Sequence, residues 1–345
     1  MSKVFFITGA AGFIGSNLVR SLRAAYPDAE LISYDLLTYA GHIENLKDFE
    51  HDPKHHFFQG NIGDEKLVLE ILEKFNVDAI FHLAAETHVD RSISGADPFI
   101  ETNVAAHTRF LRTAQNYQQS LSASAQEQFR FIHISTDEVF GHLSMDDPAF
   151  DERTPYAPRS PYAASKAAGD HLVRAWHNTY KLPAIILNCS NNFGPYQYPE
   201  KLIPFMLSRA LAGQSLPIYG SGEQIRDWLY VEDHCQAIIK AYECGEIGET
   251  YCIGGSNEQR NIDIVRRLCE ILDERRPRED NTSYKSLIEH VEDRPGHDFR
   301  YAINSEKAQK ALSWSAGTNF ASLLTQTIDW YIENTEWINI VQKNR

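Results

Sequence analysis

Along the first 190 residues, short apolar runs alternate with longer amphipathic stretches. The runs Val4 to Thr8, Leu31 to Tyr34, His56 to Gln59, Ala79 to Leu83, Phe131 to Ser135 and Ala184 to Leu187 predict strands. Helical periodicity falls between several of them, notably over Phe13 to Ala25, Pro98 to Tyr117 and Pro161 to Tyr180. Such alternation predicts an α/β fold with a doubly wound parallel sheet, covered on both faces and binding ligands at the carboxyl ends of its strands. After about residue 190 the rhythm becomes irregular, beginning with Asn191-Asn192-Phe193-Gly194-Pro195-Tyr196, which suggests a smaller C-terminal lobe. Ser120 to Gln128, rich in Ser, Gln and Ala, reads as a surface loop or frayed helix end, and no internal repeat is present.

Composition narrows the class. The 345 residues are 43% hydrophobic and 23% charged, enough for a large core and unlike a disordered or disulfide-stapled chain. No apolar run approaches the roughly 18 residues of a membrane span, and Thr8-Gly9 interrupts the short N-terminal apolar stretch before it could serve as a signal peptide. A net charge of −14 disfavours nucleic-acid binding. Five cysteines without a C-x-x-C pair read as reduced, mostly buried thiols. The expectation is a cytoplasmic protein with no membrane or nucleic-acid partner.

Thr8-Gly9-Ala10-Ala11-Gly12-Phe13-Ile14-Gly15 directly follows the first predicted strand and opens a helix. Glycines there permit a tight turn and close approach of backbone to a pyrophosphate, whose charge the helix N-terminus favours. A glycine triplet alone is weak evidence. Asp35, twenty positions after Gly15 at the end of the second strand, adds a carboxylate that can accept both ribose hydroxyls. Leu36, Leu37 and Thr38 offer no arginine for a 2′-phosphate, which favours NAD over NADP. Residues 1–190 therefore read as an NAD-binding Rossmann domain to which parts of 225–255 return, and 191–345 mainly as the substrate lobe.

Tyr162-Ala163-Ala164-Ser165-Lys166 places a phenol and an ammonium four residues apart on one helix face, behind the cap and first-turn residues Ser160 and Pro161. A phenol with a reference pKa of about 10 needs a nearby cation to act as a base, and Lys166 and the nicotinamide are the expected sources. By itself this spacing usually means a solvated helix face; after a dinucleotide fingerprint it reads as catalytic. The fifth strand ends in Ser135-Thr136-Asp137-Glu138-Val139, where two adjacent carboxyl groups can divide into an acid and a base.

The G-x-x-G-x-x-G spacing resembles the extended short-chain dehydrogenase/reductase superfamily. Asn61-Ile62 then falls beside the adenine, and Leu83-Ala84-Ala85 in the cofactor-lining turn after the fourth strand. The runs Asp35 to Gly41, Ala84 to Ile93, Ser135 to Val139, Asn188 to Pro204, Gln224 to His234 and Asp293 to Asp298 are similar to the dTDP-glucose 4,6-dehydratase family, over roughly residues 3 to 305. That resemblance implies that Tyr162, helped by Thr136, takes the 4-hydroxyl proton while hydride passes to NAD. Glu138 would remove the C5 proton, Asp137 would protonate the departing C6 hydroxyl, and hydride would return to C6. Lys166 would hold the nicotinamide ribose and tune Tyr162. Phe140 stands where the family often has tyrosine.

The same resemblance implies a diphosphate grip by Arg226 and Arg294 with Asn191. It also puts Glu200, Lys201 and Leu202 at the base or sugar, Pro217 to Tyr219 against the base, and Asn261 near the diphosphate. His88, Asp90-Arg91 and His297 would lie near the sugar nucleotide. His51, His55 and His56 do not complete a metal site, and the mechanism asks for none. The predicted helices around 98–117 and 161–180 resemble the superfamily's dimer-forming pair, so a homodimer is expected. The alternatives are a UDP-sugar 4,6-dehydratase, an NAD-dependent 4-epimerase or decarboxylase on the same scaffold, and a catalytically silent NAD-binding protein. The Asp137-Glu138 pair favours dehydration, because epimerisation requires no elimination across C5 and C6.

Overall fold

The computed structural model describes residues 2–293 and 296–343. Six strands, β1 (Val4–Thr8), β2 (Glu30–Asp35), β3 (His55–Gln59), β4 (Ala79–His82), β5 (Arg130–Thr136) and β6 (Ala184–Cys189), join the later strand Thr250–Ile253 in one sheet. Its order is Thr250–Ile253, β6, β5, β4, β1, β2, β3, and every pairing is parallel. The sequence reading of a doubly wound sheet is met. Phe5, Phe6 and Ile7 are all fully buried, because helices cover both faces of a parallel sheet and its central strands need apolar side chains on each.

Two helices matter for the site. Phe13–Ala25 starts immediately after the glycine turn, with Gly12 as its N-cap. Pro161–Tyr180 starts where Ser160 Oγ accepts a hydrogen bond from the Ala163 amide and Pro161 supplies a preformed first turn. The element expected over Pro98 to Tyr117 is helical but interrupted: Asp97–Ile100 and His107–Ser120 are α-helical, and Glu101–Ala106 between them is a π turn. Asn103 in that turn donates to Ser165 Oγ and the Glu86 carbonyl, so the widened turn aims a side chain at both the helix and the cofactor loop. The 120–128 segment differs from a plain loop: Ala123–Gln128 is a short exposed helix capped by Ser122.

Beyond β6 the chain builds two small sheets. Ile225–Tyr230 pairs antiparallel with Glu258–Arg260 and parallel with Asn191–Phe193, while Leu216–Tyr219 pairs with Ile288–Val291. A second apolar core, including Leu207, Leu268, Ile328 and Val341, lies under them. The C-terminal helices are tied back to the N-terminal half by Trp337, whose indole N–H donates to Asn45 Oδ1. Among the described residues no helix is long and apolar enough to cross a membrane.

Candidate active site

The carboxyl ends of β1, β2, β4, β5 and β6 open on one cleft of about 310 Å³. Its cofactor side begins at the glycine turn. Gly9 has φ +68°, and a Cβ there would lie 2.8 Å from the Ala84 amide nitrogen. A Cβ on Gly15 would lie 2.0 Å from the Gly9 carbonyl oxygen. These glycines let β1, its turn and the following helix close on one another, as a dinucleotide cradle requires. Asp35 is buried beside the turn, with Oδ2 accepting from the Ala11 amide at 2.9 Å and Oδ1 from the Leu37 amide at 2.8 Å. Burial pushes its carboxyl up, and those amides counter the shift.

Gly12, Phe13, Ile14 and Thr38 line the same cleft, as do Asn61, Ile62, Leu83, Ala84 and Ala85. Asn61 accepts the Gly63 amide through Oδ1 at 2.7 Å. These residues fit NAD: glycine-bounded backbone at a helix N-terminus, a carboxylate at the end of β2, and no cation beside it in Leu36, Leu37 or Thr38.

Thr136, Asp137, Glu138, Tyr162 and Lys166 line the other end of the cleft. The β5 strand brings in the first three, and the 161–180 helix the last two. Thr136 Oγ1 accepts from the Glu138 amide and donates to Asp137 Oδ1, both at 3.3 Å. Asp137 is 2% exposed and its Oδ2 has no hydrogen-bond partner. Burial first, then the charges of Glu138 and Asp227, hold its carboxyl well above the usual range, against Arg226 and Thr136. A carboxyl shifted in this direction is better suited to donate a proton than an ordinary one.

The Tyr162 phenol is likewise held well above its ordinary pKa, by burial and by Glu138 and Cys189, with Thr136 acting in the opposite direction. The Lys166 ammonium donates to the Ile134 carbonyl at 2.8 Å, and burial lowers its pKa while Asp170 and Cys189 oppose that.

On the substrate side, Asn191, Glu200 and Lys201 line the cleft, and Asn191 Oδ1 is buried without a hydrogen-bond partner. Lys201 donates to the Thr87 carbonyl, and Glu200 lies 3.5 Å from His88 and 3.6 Å from Arg91, which stacks on Tyr39. Leu202, Pro217, Tyr219, Arg226, Asn261 and His297 lie outside the cleft lining. The Arg226 guanidinium donates to the carbonyls of Ile225, Phe299 and Asp298 and lies over the Tyr301 ring, and its charge acts on Asp137. His297 pairs with Asp293 at 2.6 Å and packs edge-on against Tyr219. Arg294 lies outside the described residues.

Sequence reasoning missed the groups behind the cleft. Tyr39, Glu86, Thr87, Gln197 and Tyr198 line it from the runs 35–41, 84–93 and 188–204, which carry the family resemblance but gave these residues no role of their own. Asp170, one turn beyond Lys166 on the same helix, is fully buried, and continuing the four-residue step from Tyr162 to Lys166 would have found it. His51, His55 and His56 are not brought together: His55 pairs with Ser33 and His56 with Glu30. A different trio, His82, His107 and His133, is buried with ring nitrogens within 4.8 Å of one another. Its members already engage neighbours, His82 with Thr8 and His107, and His133 with Asp170.

Comparison with known proteins points one way. A family model described as GDP-mannose 4,6 dehydratase matches residues 6–327. A dTDP-glucose 4,6-dehydratase of Xanthomonas campestris pv. campestris is 48% identical over 334 residues, covering 97% of this chain and 94% of that protein. Escherichia coli K12 has a dTDP-glucose 4,6-dehydratase 49% identical over 344 residues, covering 97% of this chain and 94% of that protein. The NAD-bound structure of the Streptomyces venezuelae dTDP-glucose 4,6-dehydratase aligns with a TM-score of 0.88 at 42% identity, covering 98% of this chain and 99% of that one. A Thermotoga maritima UDP-glucose 4-epimerase shares the fold at a TM-score of 0.84 but only 25% identity, covering 96% of this chain and 99% of that one. With the glycine turn, the Thr136-Asp137-Glu138 strand end and the Tyr162–Lys166 helix gathered around one cleft, this chain belongs to the dTDP-glucose 4,6-dehydratase family of the extended short-chain dehydrogenases/reductases.

Proposed function

We propose that the protein converts dTDP-glucose to its 4-keto-6-deoxy derivative with NAD as a retained cofactor, a dehydration step of deoxysugar biosynthesis. The observation that carries this reading is the buried Asp137 carboxyl, next to Glu138 and held well above the usual carboxylate range, in the cleft that Tyr162 enters. Bound NAD supplies the hydride acceptor and donor, and its nicotinamide a positive charge near the phenol. Tyr162, assisted by Thr136, takes the 4-hydroxyl proton. Once C4 is a ketone the C5 proton is acidified, and Glu138 removes it. Asp137 gives its proton to the departing C6 hydroxyl as water leaves. One carboxyl thus serves as base and its neighbour as acid, because the buried Asp137 ionises less readily than the more exposed Glu138 beside it.

Lys166 holds the nicotinamide ribose. Asp35 accepts the adenine ribose hydroxyls, with Gly9, Gly12 and Gly15 giving the pyrophosphate close backbone access. Asn191, Glu200 and Lys201 are assigned to the sugar nucleotide, the unpartnered Asn191 Oδ1 being open to its polar groups. Arg226, Arg294 and Asn261 are assigned to its diphosphate, with His88, Leu202, Pro217, Tyr219 and His297 around the base and sugar. Residues 1–190 with parts of 225–255 form the NAD-binding unit, and 191–345 mainly the substrate lobe. The protein works in the cytoplasm as a homodimer built on the helices of 97–120 and 161–180; a monomeric mass by light scattering would contradict that assembly.

The deciding experiment incubates purified protein, without added NAD, with dTDP-glucose or UDP-glucose and weighs the products. Loss of one water from dTDP-glucose, faster than from UDP-glucose, is the expected result. Unchanged mass with an inverted C4 by NMR would make the protein an epimerase.

A further inference from the structure

Directly behind the reacting groups lies a carboxylate that the mechanism does not use. Asp170 is fully buried in the 161–180 helix and gathers donors from three other parts of the chain. Its Oδ1 pairs with His133 Nε2 at 3.1 Å; its Oδ2 accepts from Ser135 Oγ at 2.9 Å, Tyr156 OH at 2.7 Å and Asn188 Nδ2 at 3.1 Å. The same Asn188 amide also donates to the Thr136 carbonyl at 3.1 Å. One turn earlier on the helix, Lys166 donates to the Ile134 carbonyl. Four successive residues of β5, His133 to Thr136, are therefore held by the Lys166–Asp170 helical turn, directly or through Asn188, just before Asp137 and Glu138 leave the strand.

We propose that Asp170 is a positioning residue: its carboxylate fixes the end of β5 that presents Thr136, Asp137 and Glu138, and it is the counter-charge that Lys166 faces in the protein interior. The inference deepens the dehydratase reading and rests on it for the role of Lys166. Burial opposes a charge on Asp170, yet His133, Lys166 and the Tyr156 hydrogen bond bring its pKa down to about 2. The charged and titratable groups facing it are His133 from β5, Lys166 and Arg174 from its own helix, and Tyr156 from the preceding loop, with His107 and His82 behind His133. Tyr156 is pushed above its ordinary pKa and neighbouring Cys189 up to about 12, while burial lowers the Lys166 pKa and Asp170 opposes that, so proton loss from Lys166 depends on Asp170.

The test uses the full-length protein with its bound cofactor and the variant Asp170→Asn, which keeps the shape and removes the charge. Titration of the Lys166 side chain by NMR on isotopically labelled lysine, assigned with Lys166→Arg, should show its midpoint falling by about one pH unit or more. With dTDP-glucose, kcat should fall about tenfold or more while KM stays within about threefold, and the alkaline limb of the kcat profile should move to lower pH. An unmoved Lys166 midpoint, or an unmoved limb with near-normal kcat, overturns the proposal. A merely structural role would lower the amount of active protein without moving either midpoint. Should Asp170→Asn not fold, Ser135→Ala removes one donor and leaves the charge: kcat should fall severalfold with the limb in place, and wild-type kcat overturns the positioning role. If the wild-type protein does not turn over dTDP-glucose, the dehydratase reading fails, and the Lys166 midpoint still decides the charge coupling.

Discussion

Replacing Asp137 by Asn separates the proton donor from the rest of the site. The side chain is 2% exposed, keeps one contact to Thr136 at 3.3 Å, and has its second oxygen unpartnered, so the amide fits the same space. What it loses is a carboxyl group whose proton burial and the charges of Glu138 and Asp227 hold more tightly than usual. A positioned general acid contributes about 10²- to 10⁴-fold, or roughly 3 to 5 kcal/mol of barrier. Water loss from dTDP-glucose should slow by that factor. Earlier steps should survive: absorbance near 340 nm should still report C4 oxidation, and mass spectrometry in D₂O should still report deuterium entering C5 through Glu138. The replacement takes away a proton donor and leaves the Glu138 carboxylate in place, so exchange at C5 should not slow in step with water loss. Dehydration within about threefold of wild type would refute the assignment of Asp137 as the acid. Parallel loss of C5 exchange and dehydration would mean that the substitution had disturbed the site rather than removed one proton.

Tyr162→Phe should lower kcat about 10²-fold or more while the protein still purifies with its NAD; a variant within a few-fold of wild type would remove the phenol from the chemistry. Gly15→Ala places a Cβ 2.0 Å from the Gly9 carbonyl oxygen, where backbone must shift, so stability should fall by about 1–3 kcal/mol and bound NAD be lost. Thermal melting and cofactor content read this out, and normal values for both would contradict the close packing. His234 is buried and its pKa is lowered from 6.5 to about 3 by desolvation. The unfolded chain therefore takes up a proton below pH about 6.5 that the folded one refuses until about 3, and this residue removes stability at up to about 1.4 kcal/mol per pH unit in that window. Urea midpoints at pH 7 and 5.5 should show the fall, and His234→Gln should lessen it; equal slopes for both proteins would exclude His234 as a source.

Local sequence determined much of this protein. The runs at Val4 to Thr8 and Ala184 to Leu187 are apolar without alternation because their strands are buried on both faces, and that feature is visible in one dimension. Gly9 to Gly15, Ser135 to Glu138 and Tyr162 to Lys166 were equally legible, because each is set by a turn, a strand end or one helical turn within a few residues. The π turn at Glu101–Ala106 was not, since its periodicity differs little from an α-helix over six residues and its reason is the contact of Asn103 with Glu86 and Ser165.

Folding alone decided which polar residues meet. His133, Tyr156, Asp170 and Asn188 are scattered through 56 positions and carry no motif, yet they converge on one carboxylate. Arg226, read as a phosphate ligand, also donates to backbone carbonyls and lies over a tyrosine ring, and Lys166, read beside the nicotinamide ribose, also donates to the Ile134 carbonyl. The physical reason is range. Turns, caps and strand patterns are fixed by neighbours in the chain, whereas the charge state and orientation of a buried group are fixed by whatever the fold packs against it.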